Sequence, residues 1–312
     1  MPDLSLDKLK TVFEKLSTST DWSLQLLRIT NSKKQGTKYA SRQITLSPTG
    51  KLAEFVGEIA GKYTSATKNL LEKYSCVEEY DGTAIDTTIY KLNSDSPLIS
   101  SEYATLMAVI ADPETESDPL GFTPHAYVIR GQVEIDGADT RVKLVSMQNP
   151  VTTLKHKFWC DSGTFKELTD KILSLKPTVE VVIVDDTVYF LTMAGERLFN
   201  MERAYRTICT EKVETIAQAH ILSDSDAFKQ IAESGHNPRR FVSFNEAKLK
   251  ALKNKSRRLA MAKRFSIAIK DDKFDMDVAG TAEKVVKLLC NKGMIDPFEN
   301  SAVEVPSAKQ WV

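Results

Sequence analysis

Eleven cations crowd into residues 239–270: Arg239, Arg240, Lys248, Lys250, Lys253, Lys255, Arg257, Arg258, Lys263, Arg264 and Lys270. Glu246 is the one acid among them, so the stretch carries a net charge of +10 within a chain of net charge zero. Ammonium and guanidinium groups hold phosphate oxygens without covalent chemistry, lysine as a point charge and arginine as a planar fork. A single helix over Asn245–Ile269 would gather Lys250, Lys253, Arg257 and Arg264 into a stripe about 60° wide. Leu249, Leu252, Ser256, Leu259 and Lys263 would lie on the far side, and Lys248, Lys255 and Arg258 would flank the other edge. From Lys250 to Arg264 such a helix rises about 21 Å, and a duplex offers one phosphate charge per about 1.7 Å of axis. Like charges one turn apart cost a helix a few tenths of a kcal/mol per pair, and a solvated face would interleave glutamates. Only Phe241, Phe244 and Phe265 are aromatic here, whereas single strands and RNA call for exposed stacking platforms. The pattern therefore predicts contact with double-stranded DNA through its phosphates, without base reading. The expected contacts are Lys250, Lys253, Lys255, Arg257, Arg258, Lys263 and Arg264, with Arg239 and Arg240 beside them. Charge alone leaves other readings open: a solvated face, one paired with the chain's own acids, an anionic lipid surface or an acidic protein.

The compensating acids are concentrated too. Residues 71–120 hold eleven Asp or Glu against Lys73 and Lys91. That polarity gives a physical route to self-association through complementary patches. Catalytic patterns are weak. No GxGxxG, HExxH or nucleophile elbow occurs, and Gly50-Lys51 lacks the rest of a phosphate-binding loop. His125, His156, His220 and His236 are scattered, and Cys76, Cys160, Cys209 and Cys290 form no close pair of metal ligands. Asp271-Asp272-Lys273 resembles the end of a metal-dependent nuclease core, but the residues just before it supply no second carboxylate. No catalytic residue, metal or cofactor is expected. The alternatives held beside DNA binding are a nuclease whose carboxylates meet only in the fold, Asp271 among them, and a non-enzymatic protein-interaction module.

The elements that must carry these residues read as follows. Leu6, Leu9, Val12, Phe13 and Leu16 predict a helix over Leu4–Leu16, with Ser5 as its cap. Trp22–Thr30 and Gln43–Leu46 predict strands around a polar loop over Asn31–Tyr39. Ser47-Pro48 reads as the start of a helix running to Lys73. Short strands over Ser75–Tyr80 and Thr87–Leu92, a helix over Ser101–Ala111 and an acidic loop over Asp112–Thr123 follow. Tyr127–Ile135 and Thr140–Met147 alternate around Gly137, Lys155–Cys160 is a further strand, and Phe165–Leu173 reads as a short helix. Val179–Val184 and Thr187–Met193 form a hairpin around Asp185-Asp186. From about Glu196 the period becomes helical, with a capping box at Ser223 and Asp226, a stop at Gly235–Pro238, a strand or turn over Lys270–Asp277 and a last helix over Thr281–Asn291. The fold class is α+β: a mixed N-terminal α/β region with an antiparallel β section, over residues 1–194, then a mainly helical part over 195–312.

Apolar content of 42% with 27% charged residues is that of a soluble globular chain. The longest near-apolar run, Ala104–Ala111, is far short of a bilayer span. The N-terminus has no signal-peptide pattern, so a cytoplasmic protein is expected.

Several segments together resemble the KwaB-like family of the two-protein Kiwa phage-defence system. They are VEVVIVDDTVYFLTMAGERLFNMERAYRTI, LSDSDAFKQIAES, KNKSRRLAMAKR and the closing DPFENSAVEVPSAKQWV. The resemblance implies an antiviral effector that binds DNA, self-associates as a homodimer or larger, and pairs with a KwaA-like transmembrane protein at the inner membrane. It carries over no catalytic residue.

Overall fold

The computed structural model describes residues 6–19, 21–32, 36–114, 123–153, 158–167 and 171–305. Two compact units divide the chain: Met1–Glu79 with Asp86–Asn200, and Tyr80–Ile85 with Met201–Val312. The expected boundary at Ala194 falls inside a 3₁₀ turn, Met193–Phe199, of the first unit, and Asn200 ends that turn in the left-handed region at φ 48°.

The first unit is built on helices α1 (Leu6–Leu16), α2 (Lys51–Thr64) and α3 (Ser100–Ala111). Its sheet strands are β1 (Ser23–Ser32), β2 (Gly36–Ile44), β3 (Cys76–Glu79), β4 (Thr88–Asn93), β5 (Ala126–Ile135) and β6 (Ala138–Ser146). Four short strands follow, β7 (Val151–Thr153), β8 (Phe158–Asp161), β9 (Thr164–Glu167) and β10 (Lys171–Leu173), which pair as β7 with β10 and β8 with β9. The sheet is completed by β11 (Val181–Val184) and β12 (Thr187–Phe190), in the order β2-β1-β5-β6-β11-β12-β4-β3. Every neighbouring pair in it is antiparallel except β3 with β4. Leu24, Leu26, Tyr127, Ile129 and Val182 pack on one face with Phe13, Val56, Ile59 and Tyr63 of α1 and α2. On the other face Gln25 donates to the Ile110 carbonyl at the end of α3, and Tyr103 stacks on Phe199. Burial on both faces explains why β11 reads as an unbroken Val-Val-Ile-Val run rather than an alternating one.

The predicted hairpin is present, with Val181 opposite Phe190 and Val184 opposite Thr187. Asp185 takes φ 51°, and its carboxylate accepts from the Arg141 backbone N–H at 3.2 Å. Other expectations need correction. The polar loop over Asn31–Tyr39 is largely strand: β1 and β2 pair through to Ser32 opposite Gly36. The second helix starts after Gly50, at φ 90°, and ends at Thr64, where Ser65 turns extended; Ser47-Pro48 precedes it. The short helix expected over Phe165–Leu173 is instead β9 and β10, with 168–170 outside the described residues. The overlooked signal was Ser162-Gly163, both at positive φ, which makes the tight turn of a hairpin.

The second unit is mainly helical. It contains α4 (Met201–Ala217), α5 (Ser225–Ala232), the single turn α6 (Asn237–Arg240), α7 (Glu246–Lys253), α8 (Lys255–Arg264) and α9 (Thr281–Leu289). Two small ribbons accompany them, β13 (Ile269–Lys270) with β14 (Lys273–Phe274), and β15 (Gly293–Ile295) with β16 (Ala302–Glu304). Its core joins Cys209, Val213, Phe228, Phe241, Leu249, Leu252, Phe274, Val286 and Leu289. The cap of α5 is Asp224, one residue later than expected, and it accepts from the N–H groups of Asp226 and Ala227. Among the described residues no helix is long and apolar enough to cross a membrane.

Candidate nucleic-acid interface

The basic segment is two helices, not one. Asn254 ends α7 and opens α8: its backbone turns extended at ψ 121°, and its side-chain oxygen accepts from the Arg257 N–H at 3.1 Å. Asparagine suits this place because its short acceptor satisfies a donor that the first turn leaves over. Asn245 does the same for α7, accepting from the Lys248 N–H at 3.0 Å. The phase relation assumed across Lys250–Arg264 therefore holds only within each helix.

Arg258 corrects the expected contact set. Its residue is 8% exposed. One terminal nitrogen donates to the Leu252 carbonyl at 2.8 Å and the Lys253 carbonyl at 3.3 Å, and Nε donates to the Asp272 carbonyl at 2.7 Å. The last carbonyls of α7 have no helical donor, and this guanidinium supplies one. Arg258 thus joins α7, α8 and the β13–β14 turn, a structural role in place of the expected exposed contact. Lys248 is likewise committed, donating to the Leu288 carbonyl at 3.2 Å, and burial holds its amine below the ordinary lysine range.

The remaining cations stand out in solvent. Lys250, Lys253, Lys255, Arg257, Lys263 and Arg264 are all exposed. Lys255 pairs with Asp272 at 2.5 Å. Among the described residues no acid pairs with Lys250, Lys253, Arg257, Lys263 or Arg264. Five exposed cations on two consecutive short helices form a surface that phosphates can neutralise at little desolvation cost.

Arg239 and Arg240 lie elsewhere, in a cleft of about 600 Å³ lined also by Gly82, Thr83, Lys292 and Glu304. Arg239 Nε donates to the Gly82 carbonyl at 3.0 Å, and its guanidinium lies 5.4 Å from the Tyr80 ring centre and 5.8 Å from that of Tyr205. Gly82 is required there: at φ 87° a Cβ would stand 2.4 Å from the Arg239 carbonyl oxygen. Arg240 donates to Asn237 at 3.2 Å and to Glu304 at 3.0 Å. Lys287 also pairs with Glu304, at 2.7 Å, and this hydrogen bond holds the Glu304 carboxyl below its usual range. Lys292 is 5% exposed and donates to the Thr83 hydroxyl, with Asp81 at 4.0 Å. Sequence reasoning passed over Thr83, Lys292 and Glu304, because Lys292 and Thr83 lie 209 positions apart and no local pattern links them.

The fold also gives Asp271 carboxylate neighbours. Asp224, Asp226, Asp271 and Asp277 line a cleft of about 520 Å³ together with Lys270 and Lys273. Asp224 is occupied as a helix cap and Asp277 pairs with Lys270 at 2.9 Å. Among the described residues no three His, Cys, Asp or Glu side chains come together in a way that could hold a metal ion.

The family model described as "Kiwa protein KwaB-like" matches residues 133–296, just over half of the chain. The chain belongs to the KwaB-like family. Membership assigns it to Kiwa anti-phage defence. The matched stretch of this KwaB-like chain contains α7, α8, Arg239, Arg240 and Lys292, and leaves out Thr83 and Glu304. No curated protein matches the chain, and no solved structure matches it.

Proposed function

We propose that this Kiwa defence protein binds duplex DNA through Lys250, Lys253, Arg257, Lys263 and Arg264, and so obstructs phage replication or transcription. The supporting observation is five exposed cations on α7 and α8 without an acidic partner among the described residues. Lys255 joins them when its Asp272 pair opens. Each phosphate contact releases about one counterion, so five contacts give a log–log salt slope of about −4.5. Scrambled duplexes bind alike, because phosphates carry no base identity. The protein acts without catalysis, as a homodimer or larger. It lies in the cytoplasm and is held at the inner membrane by a KwaA-like transmembrane partner.

The deciding experiment replaces Lys250, Lys253, Arg257 and Arg264 with Glu. All four are exposed, so the circular dichroism spectrum stays that of the wild type. Gel shifts with duplex and the cellular protection assay are both expected to fail. A four-site variant that shifts duplex like the wild type removes α7 and α8 from the interface. One that folds, fails to bind and still protects removes DNA binding from the mechanism. Incubation with plasmid and Mg²⁺ is expected to give a shifted, uncut band, and a cut band would turn the reading to a nuclease. Light scattering that returns a monomer mass at micromolar concentration would sink the proposed assembly.

A further inference from the structure

The cleft of the second unit differs in kind from the α7–α8 surface, and it supports a second binding site independent of the DNA reading. Arg239, Arg240 and Lys292 converge on a concave space of about 600 Å³, within the usual range for small-ligand pockets. A line of duplex phosphates calls for a row of cations on an open surface; converging cations in a cleft suit one compact anion of higher charge. Arginine forks with a neighbouring ammonium and hydroxyl are the donors that phosphate oxygens accept from. The backbone of Gly82 and Thr83 forms one wall, and the close approach at Gly82 fixes that wall on the Arg239 main chain. Glu304 already behaves as an internal anion, since its carboxylate takes a charged donor from Arg240 and another from Lys287. Displacing Glu304 would release the charged donors of Arg240 and Lys287 for an arriving phosphate. Burial holds the Lys292 ammonium below its ordinary range, Asp81 opposes that, and Arg240 and Arg239 add to it. An arriving dianion relieves this mutual repulsion.

The geometry points to a phosphate-binding pocket formed by Arg239, Arg240, Lys292 and Thr83, in which the Glu304 carboxylate is a resident competitor. The shared chemistry is a terminal phosphate group, carried either by a free nucleotide or by the 5′ end of a DNA strand. His236 also lines the cleft, so an imidazole ring stands beside the phosphate donors.

The test is isothermal titration of the full chain with inorganic phosphate at constant ionic strength near neutral pH. Saturable binding at a single site is expected. Arg240→Gln should weaken it about tenfold, the scale of one lost charge-assisted hydrogen bond. Glu304→Gln should tighten it several-fold, and a misfolded variant could not imitate that gain. Absence of saturable binding by the wild type, wild-type affinity in folded Arg240→Gln, or no gain in Glu304→Gln each overturns the proposal. Two further arms identify the source. AMP binding more tightly than inorganic phosphate, with adenosine inert, assigns a nucleotide. A 5′-phosphorylated duplex preferred over its 5′-hydroxyl form, measured on the four-site α7–α8 variant, assigns a DNA end. That variant separates the two sites: failure of α7 and α8 to bind DNA leaves the phosphate titration untouched.

Discussion

The two groups of cations in the second unit share a sequence neighbourhood and little else. On α7 and α8, Lys250, Lys253, Arg257, Lys263 and Arg264 extend into water, with no acidic partner among the described residues. In the cleft, Arg239, Arg240 and Lys292 are held by a carbonyl, an amide, a hydroxyl and two carboxylates. Arg258, one residue along from Arg257, donates to three backbone carbonyls. Charge density along a chain thus says that a region is basic, not what its cations do. Side chains that keep their conformational freedom can follow a polyanion of any sequence, while side chains fixed by several partners define one geometry and serve architecture or a compact ligand.

Five variants test that contrast. The largest effect is expected from the four-site Glu variant of α7 and α8, with loss of duplex affinity of about a thousandfold or more at moderate salt and a much flatter salt slope. Arg240→Gln, measured in the same assay, should change duplex affinity several-fold at most; an equal loss would erase the distinction between surface and cleft. Next comes Arg258→Met, which leaves three carbonyls without their donor. It should destabilise the second unit by about 3 kcal/mol in urea titration and leave duplex affinity unchanged while the protein is folded. Gly82→Ala should cost about 2 kcal/mol or more, because a residue with a Cβ meets both strain at φ 87° and the Arg239 carbonyl. Asn254→Ala should cost about 1 kcal/mol by removing the cap of α8.

The smallest effect is a pH dependence. The Glu304 carboxyl titrates below its ordinary value because Lys287 and Arg240 favour its charged form. Its contribution to stability is therefore complete above the unfolded carboxyl pKa and fades as the pH falls through the lower, folded value. Acid titration of Glu304→Gln should lack that part of the slope below about pH 4.5. An identical acid profile in the variant would show that the Lys287 and Arg240 pairs add nothing.

How much of this the sequence disclosed depends on how local each cause is. The β11–β12 hairpin was legible because β-branched and aromatic runs flank two acids, and pairing partners lie only a few residues apart. The α1 face was legible because Leu9, Val12, Phe13 and Leu16 keep helical spacing and are all buried. The β1–β2 pairing was read too short because polar residues such as Arg28 and Lys38 sit on exposed positions, where strand formation is set by the partner strand rather than by pattern. The break at Asn254 was missed although its signal is local: an asparagine with a free N–H three residues on is a cap as readily as an interior residue. The cation positions on α7 and α8 were visible, but the fate of Arg258 was not, since it depends on carbonyls exposed only once the helix has broken. The cleft was invisible, because Thr83, Arg239, Lys292 and Glu304 come from four separate stretches of chain.

That the second unit borrows Tyr80–Ile85 has a consequence for how the protein comes into being. Tyr80 meets Tyr205 across 125 positions, their hydroxyls 2.8 Å apart, and the Gly82 carbonyl accepts from Arg239 across 157. During synthesis this six-residue segment leaves the ribosome long before the helices that will receive it. It must wait while the rest of the first unit is made. Closing so long a loop costs only slightly more entropy than closing a shorter one, but contacts this distant slow folding. The second unit is therefore not a portable module. A fragment beginning at Met201 would lack the wall of its own cleft, and evolution could not transplant the helices to another protein without bringing the segment along.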